Sequence, residues 1–311
     1  MKDLLMKITQ EKISRAQYQQ YLDREICFSA EGMRFSVKNI AREYLLRIIP
    51  SHAHGENSYE MHYIISGQGW IKTRFGIYEA RSGTLFLMGP GEEHAQLSKS
   101  DDPMEYCCIY FHLEELLLDI PKGSLADCFL KTTGWIGQDY YGMNRLLQNL
   151  FHELTEKRPG YMTGAESILS QIFVNFVRNY YGTGTDNQKS AAEIVGHPML
   201  SPDNSRAFVV EKAFLYDFAD LTLESLSERI GLSPRQTQRF LRENYGRKFQ
   251  ELRTKARMSA AEMLLVYTNC SITWIAQSVG YTTAEYFATN FRYFYGKSPR
   301  DYRKEKLLVI S

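Results

Sequence analysis

Three arginines in the segment PRQTQRFLREN are spaced to fall on one side of a helix. At 100° per residue from Arg235, the side chains of Gln238, Arg239 and Arg242 lie within about 60° of it, while Thr237, Phe240 and Leu241 occupy the far side. Arginine can donate two hydrogen bonds to guanine O6 and N7, and glutamine can form a matching pair with adenine. This face, with Gln236 beside it, therefore has the chemistry to read base edges in a major groove. The apolar far side needs another helix to cover it.

The covering helix is legible just upstream, and the whole arrangement occurs twice. Leu226, Ile230 and Gly231 recur 49 residues later as Ile275, Val279 and Gly280, and Gly246 recurs as Gly296 after one inserted residue, which marks an internal duplication. Each copy has a short helix with apolar residues at i, i+3 and i+7 (Leu223, Leu226, Ile230; Ile272, Ile275, Val279), then a glycine for a tight turn. A second helix follows, expected to be capped by Ser233 in one copy and Thr282 in the other. The spacing predicts helix, turn, helix, twice, with Phe249 to Val266 joining the copies as one helix of about 27 Å. In the second copy the reading positions are Glu285, Ala288, Thr289 and Arg292, so base recognition is expected to rest mainly on the first unit. The second is expected to add phosphate and thymine-methyl contacts.

Residues 221–303 resemble the DNA-binding domain of AraC/XylS-family transcriptional regulators. The resemblance rests on L-x-x-L-x-x-x-x-GLSP in the first copy and on I-x-x-I-A-x-x-x-GY followed by FRYFYGKSPRDYR in the second. Thr289 stands where that family commonly has an arginine, in keeping with weaker readout by the second unit. The resemblance implies double-stranded promoter DNA as a partner. It also implies an amino-terminal domain, often a cupin, that binds a small-molecule effector and forms a homodimer.

The preceding half has two textures. From about Glu43 to His112, short β-rich runs such as YLLRII, YIIS, WIKTRF, GTLFLM and YCCIYF alternate with Gly-containing turns, as in a sandwich or barrel. From Asp139 to Tyr181 the period becomes helical: Leu146, Leu147, Leu150, Phe151 and Leu154 form one stripe, and Ile168, Leu169, Ile172, Phe173, Phe176 and Val177 another. Such stripes suit either a layer packed on the sheet or, in part, a dimer seam.

The strand-rich stretch also resembles a cupin over residues 44–115. His52-Ala53-His54, Glu60 and Gly67 follow the first cupin motif, and GTLFLMGPGEEH, ending at His94, is similar to the second, with Gly89 where a proline is usual. In metal-binding cupins the matching His52, His54, Glu60 and His94 would form a three-imidazole, one-carboxylate site for a divalent transition metal. In sensor cupins they often serve as polar pocket walls without metal. The expectation is therefore effector contact by His52, His54, Glu60, His62, Trp70 and His94, with no cofactor required and a divalent metal as the lesser possibility. His62 follows Glu60 by two and would share its strand face, while Trp70, Phe86 and Tyr63 offer stacking surfaces for a sugar-like ligand.

The fold class expected is α+β in two domains: a jelly-roll cupin barrel with appended helices, then an all-α tandem helix-turn-helix domain. The boundaries are 1–181, a linker over 182–206 rich in loop formers, and 207–311. Net charge divides accordingly. The stretch from Ala207 onward holds 16 Lys and Arg against 11 Asp and Glu, an excess that the remainder offsets, as expected of a domain that meets a polyanion.

The 311 residues are 44% apolar and 23% charged, a globular composition. No apolar run is long enough for a membrane span, and the charged first thirty positions lack a signal peptide's apolar core. Five dispersed cysteines without C-x-x-C argue against a disulfide framework and for a reducing cytoplasm. The function expected is an effector-controlled, sequence-specific transcriptional regulator and not an enzyme, with a sugar or related metabolite as effector. The alternative is a metal-dependent cupin isomerase or oxygenase with an accessory DNA-binding domain, which no distinctively spaced acid/base pair supports.

Overall fold

The computed structural model describes residues 18–22, 25–46, 48–116, 120–181 and 205–310. Of the expected linker, residues 182–204 lie outside the described residues, whereas Ser205 and Arg206 already begin a helix. Two compact units result, one from most of the chain up to Leu200 and the other holding the residues from Ser201 onward together with Arg47–His52 and His94–Leu97.

The strands between Tyr18 and Gln138 form two antiparallel sheets. One contains β1 (Tyr18–Gln20), β2 (Ile26–Ala30), β3 (Met33–Tyr44), β5 (Ser58–Ser66), β8 (Thr84–Met88), β10 (Glu105–Leu116) and β11 (Gly134–Gln138). The other contains β4 (Ile49–His52), β6 (Gln68–Thr73), β7 (Gly76–Arg81) and β9 (His94–Ser98). The order in the larger sheet is β1-β3-β10-β5-β8-β11, with β2 also on β3; in the smaller it is β4-β9-β6-β7. Jumps between strands distant in sequence are those of a jelly roll, so the cupin-like expectation stands.

Strand pairing begins well before Glu43, where the sequence pattern placed its start. β3 alternates properly from Met33 through Phe35 to Val37, then inserts Lys38 as a bulge, since Phe111 pairs with Val37 but Tyr110 with Asn39. Past the bulge the helix-facing set continues at Ile40, so the alternation reverses parity inside one strand.

Helices α1 (Leu125–Leu130), α2 (Met143–Glu156) and α3 (Tyr161–Tyr181) supply the remainder of this unit's core. The two apolar stripes expected here are buried against Phe28, Phe35, Met61, Ile109 and Phe111 of the larger sheet, with Ile168 partly so. Phe173 is central, with ring centroids 4.7 Å from Phe35 and 4.8 Å from Phe129. Of the two readings of the stripes, packing on the sheet is the one realised.

From Ser205 onward the described chain is all helical: α4 (Ser205–Tyr216), α5 (Leu223–Ile230), α6 (Pro234–Tyr245), α7 (Phe249–Tyr267), α8 (Ile272–Ser278), α9 (Ala284–Tyr295) and α10 (Pro299–Ile310). The connector α7 is unbroken, as its lack of Gly and Pro requires. α4 was not foreseen; its Val210 and Ala213 close the first core with Leu221, Leu226, Ile230, Leu241 and Phe249. No helix among the described residues is long and apolar enough to cross a membrane.

Candidate functional site

The first helix-turn-helix is fixed by caps at every junction. Thr222 and Ser225 form a capping box at the start of α5, and Gly231 ends that helix at φ +65°. Ser233 then caps α6, with Pro234 in its first turn, and the Gln236 side-chain carbonyl accepts from the Ser233 amide at 3.0 Å. Across the turn, the buried Ser227 hydroxyl donates to Thr237 Oγ1 at 2.9 Å, so even the polar atoms on the inner face of α6 are paired.

With Thr237 and Leu241 facing inward, Arg235, Arg239 and Arg242 are left exposed together on the outer face. Arg239 lies 3.5 Å from Glu243, but their side chains are 75% and 62% exposed, so the contact is a weak solvated pair that leaves the guanidinium available. The two glutamines differ from the arginines. Gln236 serves the cap of its own helix, and the half-buried Gln238 accepts from the Phe249 amide at 3.3 Å, satisfying the start of α7.

In the second unit the N-cap is Thr283, whose hydroxyl accepts from the Tyr286 amide at 3.2 Å, and not Thr282. The residue inserted between the copies falls in the turn, which moves the cap from 49 to 50 positions beyond Ser233. Glu285, Thr289 and Arg292 are exposed on the outer face of α9 and Ala288 is half-buried there; the Thr289 hydroxyl donates back to the Glu285 carbonyl at 3.0 Å. Beside them stand Tyr286 and Tyr293, the latter 92% exposed. Their i, i+7 spacing, legible in the sequence, sets both on one stripe of α9.

In the first unit, the strand faces turned away from the helices carry polar chemistry. Tyr59, Met61 and Tyr63 of β5 and Cys107, Ile109, Phe111 and Leu113 of β10 join the helix-covered core. Their alternates Glu60 and His62, and Tyr106, Cys108, Tyr110 and His112, face the other way and are buried. Tyr63 thus belongs to the packing core and is no ligand-stacking surface. Phe86 already stacks on His62, with centroids 4.4 Å apart and planes inclined by 12°.

Glu60 is the hub of this polar face. Its Oε2 lies 2.9 Å from His62 Nε2 and 3.2 Å from His54 Nε2, and its Oε1 accepts from the Cys108 thiol at 3.0 Å. His52 and His94 pair directly across β4 and β9, with ring centroids 4.0 Å apart. One ligand atom from each of His52, His54, Glu60 and His94 lies within 4.8 Å of the others, so the donor set fits a divalent transition metal. Trp70 lies on β6, half-buried, with the Lys99 ammonium 5.6 Å from its ring centroid. Farther along the polar face, burial pushes the His112 imidazole down to about 4, and the Lys38 ammonium adds to the effect.

A separate cavity of about 680 Å³ opens beside β11 and α1, lined in part by Trp135, Tyr180, Lys131 and Gln138. It does not include the histidines.

Residues 40–173 match the AraC-like ligand binding domain, and residues 226–305 match a helix-turn-helix domain. The chain belongs to the AraC family. An HTH-type transcriptional regulator of Staphylococcus aureus is 22% identical over 86% of this chain and 35% of its own length. The Msm operon regulatory protein of Streptococcus mutans is 21% identical over 80% of this chain and 85% of its own. The chain thus spans about a third of the length of the Staphylococcus relatives it matches. Among solved structures, the C-terminal domain of AraT, a response regulator from Geobacillus stearothermophilus, is 39% identical over 34% of this chain and 87% of that one, with a TM-score of 0.30.

Proposed function

We propose that this AraC-family chain is a transcriptional regulator that binds promoter DNA through its two helix-turn-helix units and responds to a small molecule held in its cupin-like domain. The observation that carries the reading is the outer face of α6: three arginines stand in solvent while Thr237 and Leu241 anchor the helix from behind. Such a face offers fork-shaped donors to base edges, on a helix capped at both ends. Arg235, Arg239 and Arg242 are assigned to base edges and nearby phosphates. Arg292, Glu285, Ala288 and Thr289 supply the weaker contacts of the second unit.

Selection of bound sequences from random duplexes, followed by affinity measurement at two salt concentrations, tests this. A selected site should be preferred over random DNA, and affinity should fall by orders of magnitude as salt rises, because phosphate contacts release counterions. Equal binding to selected and random duplexes would reject sequence-specific regulation.

The effector is assigned to the polar face around His54, Glu60 and His62, with His52, His94 and Trp70 as further contacts. Buried imidazoles and a carboxylate suit a hydroxyl-rich metabolite such as a sugar. A thermal-shift screen of the full chain against sugars tests this, since a ligand selective for the native state raises the melting temperature. A hit lost in both His54→Ala and His94→Ala supports the assignment; a hit indifferent to both but lost in Trp135→Ala moves the effector to the cavity beside β11. The homodimer rests on the family resemblance, because the stripes of α2 and α3 are spent on the intrachain core. Sedimentation equilibrium tests it.

A further inference from the structure

The Cys108 thiol has no part in the cupin motifs, yet strand register delivers it to the same carboxylate that those motifs supply. Glu60 and His62 project from one face of β5, and antiparallel pairing sets Cys108 of β10 directly opposite His62. One ligand atom from each of Glu60, His62 and Cys108 lies within 4.8 Å of the others, and all three residues are buried. Phe86 holds the His62 ring by stacking, and His54 Nε2 lies 3.2 Å from Glu60 Oε2, so the surroundings orient two of the three groups.

The chemistry of the three donors is that of a borderline-soft cation. Thiolate, imidazole and carboxylate together suit Zn(II) or Co(II), and the thiolate disfavours Mg(II) and Ca(II). Charge makes the same selection. A divalent ion bound by one carboxylate, one thiolate and one neutral imidazole forms a neutral centre, which burial favours; three imidazoles and one carboxylate would leave a net positive charge there. Tetrahedral Zn(II) bonds of about 2.0 to 2.3 Å place neighbouring donors roughly 3.4 Å apart. His62 Nε2 lies 2.9 Å from Glu60 Oε2 and Cys108 Sγ 3.0 Å from Glu60 Oε1, so each of these contacts would open by about 0.5 Å on losing its hydrogen bond, and the His62 and Cys108 donors already lie within 4.8 Å of each other.

We propose that Glu60, His62 and Cys108 form a binding site for Zn(II) in the cupin-like domain, using the Cys108 thiolate. The thiol proton leaves to solvent when the ion binds, so affinity weakens as pH falls. Three protein donors leave one coordination position for water or a ligand oxygen. The site does not depend on the DNA-binding reading, because its test is metal binding itself.

The test uses the full chain, freed of metal by a chelator and titrated with Co(II). A near-ultraviolet thiolate-to-cobalt charge-transfer band is expected, saturating at one equivalent and abolished by one equivalent of Zn(II). Cys108→Ser should lose the band while its far-ultraviolet circular dichroism stays that of the parent. His62→Gln, read in the same way should Cys108→Ser fail to fold, should weaken Co(II) binding at least tenfold. His52→Ala should retain the band. The proposal is overturned if the parent shows no such band, if the band survives in Cys108→Ser, or if His52→Ala abolishes binding that His62→Gln leaves intact. The last result would assign the metal to the three-imidazole set.

Discussion

Gly280 is pressed against the backbone of Ala219: a side chain at this position would collide with the Ala219 carbonyl and lie only 2.8 Å from Arg257 Nη2. Its φ of +83° adds a conformational requirement that glycine meets at no steric cost. The turn of the second helix-turn-helix is thus packed onto the segment leading into the first. Gly231, at φ +65°, makes the equivalent turn in the first unit, but nothing lies within 4 Å of where its Cβ would be. Gly280→Ala should therefore destabilise the helical unit by well over the roughly 1 to 2 kcal/mol that the left-handed backbone costs an L residue, which is the full penalty expected for Gly231→Ala. Calorimetric unfolding of the two variants compares them; equal losses would show that the close approach is relieved at little cost.

Arg257 fastens the same junction from the connector helix. It donates to the carbonyls of Phe218, at 3.1 Å, and Ala219, and its guanidinium carbon lies 5.4 Å from the centroid of Tyr281. Lysine cannot reproduce that fork. Arg257→Lys should cost about 2 kcal/mol, read as a lower denaturant midpoint with an unchanged slope.

The arginines and glutamines of α6 should separate experimentally. Arg239→Ala should leave the melting temperature nearly unchanged and relax preference at one or two base pairs by about 1 to 3 kcal/mol. Gln238→Ala removes the acceptor for the Phe249 amide and should cost about 1 kcal/mol of stability without altering base preference. Affinity for single-substituted duplexes together with thermal unfolding gives both readings for each variant. A base-preference change in Gln238→Ala would return that residue to the reading face.

Acidification should destabilise the cupin-like domain through His112. Burial, then the Lys38 ammonium, brings its imidazole from an ordinary 6.5 down to about 4, with Glu114 and Glu25 opposing and His54 adding to the effect. Because the unfolded chain takes up this proton first, the stability is fully present above about pH 6.5 and is lost as pH falls toward 4, by up to roughly 3 kcal/mol. His112→Gln should flatten the stability profile across that window. Denaturant unfolding at half-unit pH steps checks it, and an unchanged slope would assign the acid sensitivity to another group.

The helical unit is legible along the chain almost throughout, because what specifies it is local. Apolar residues at i, i+3 and i+7, Gly231 and Gly280 at the turns, and Ser233 before Pro234 fix helices and caps within about thirty residues of chain. One inserted residue was enough to move a cap from the expected Thr282 to Thr283, since either threonine can do the chemistry and only the turn's path chooses between them. The cupin motif likewise brought His52, His54, Glu60 and His94 to notice through spacing along the chain. Tertiary structure decided the rest. The bulge at Lys38 reverses the inward and outward sense of β3, which hides that strand from any period-two pattern. Likewise, Cys108 and His62 are 46 residues apart and meet only because β10 pairs antiparallel with β5 in one register; a slip of a single residue would turn the thiol toward the helices and bring Cys107 to Glu60 in its place.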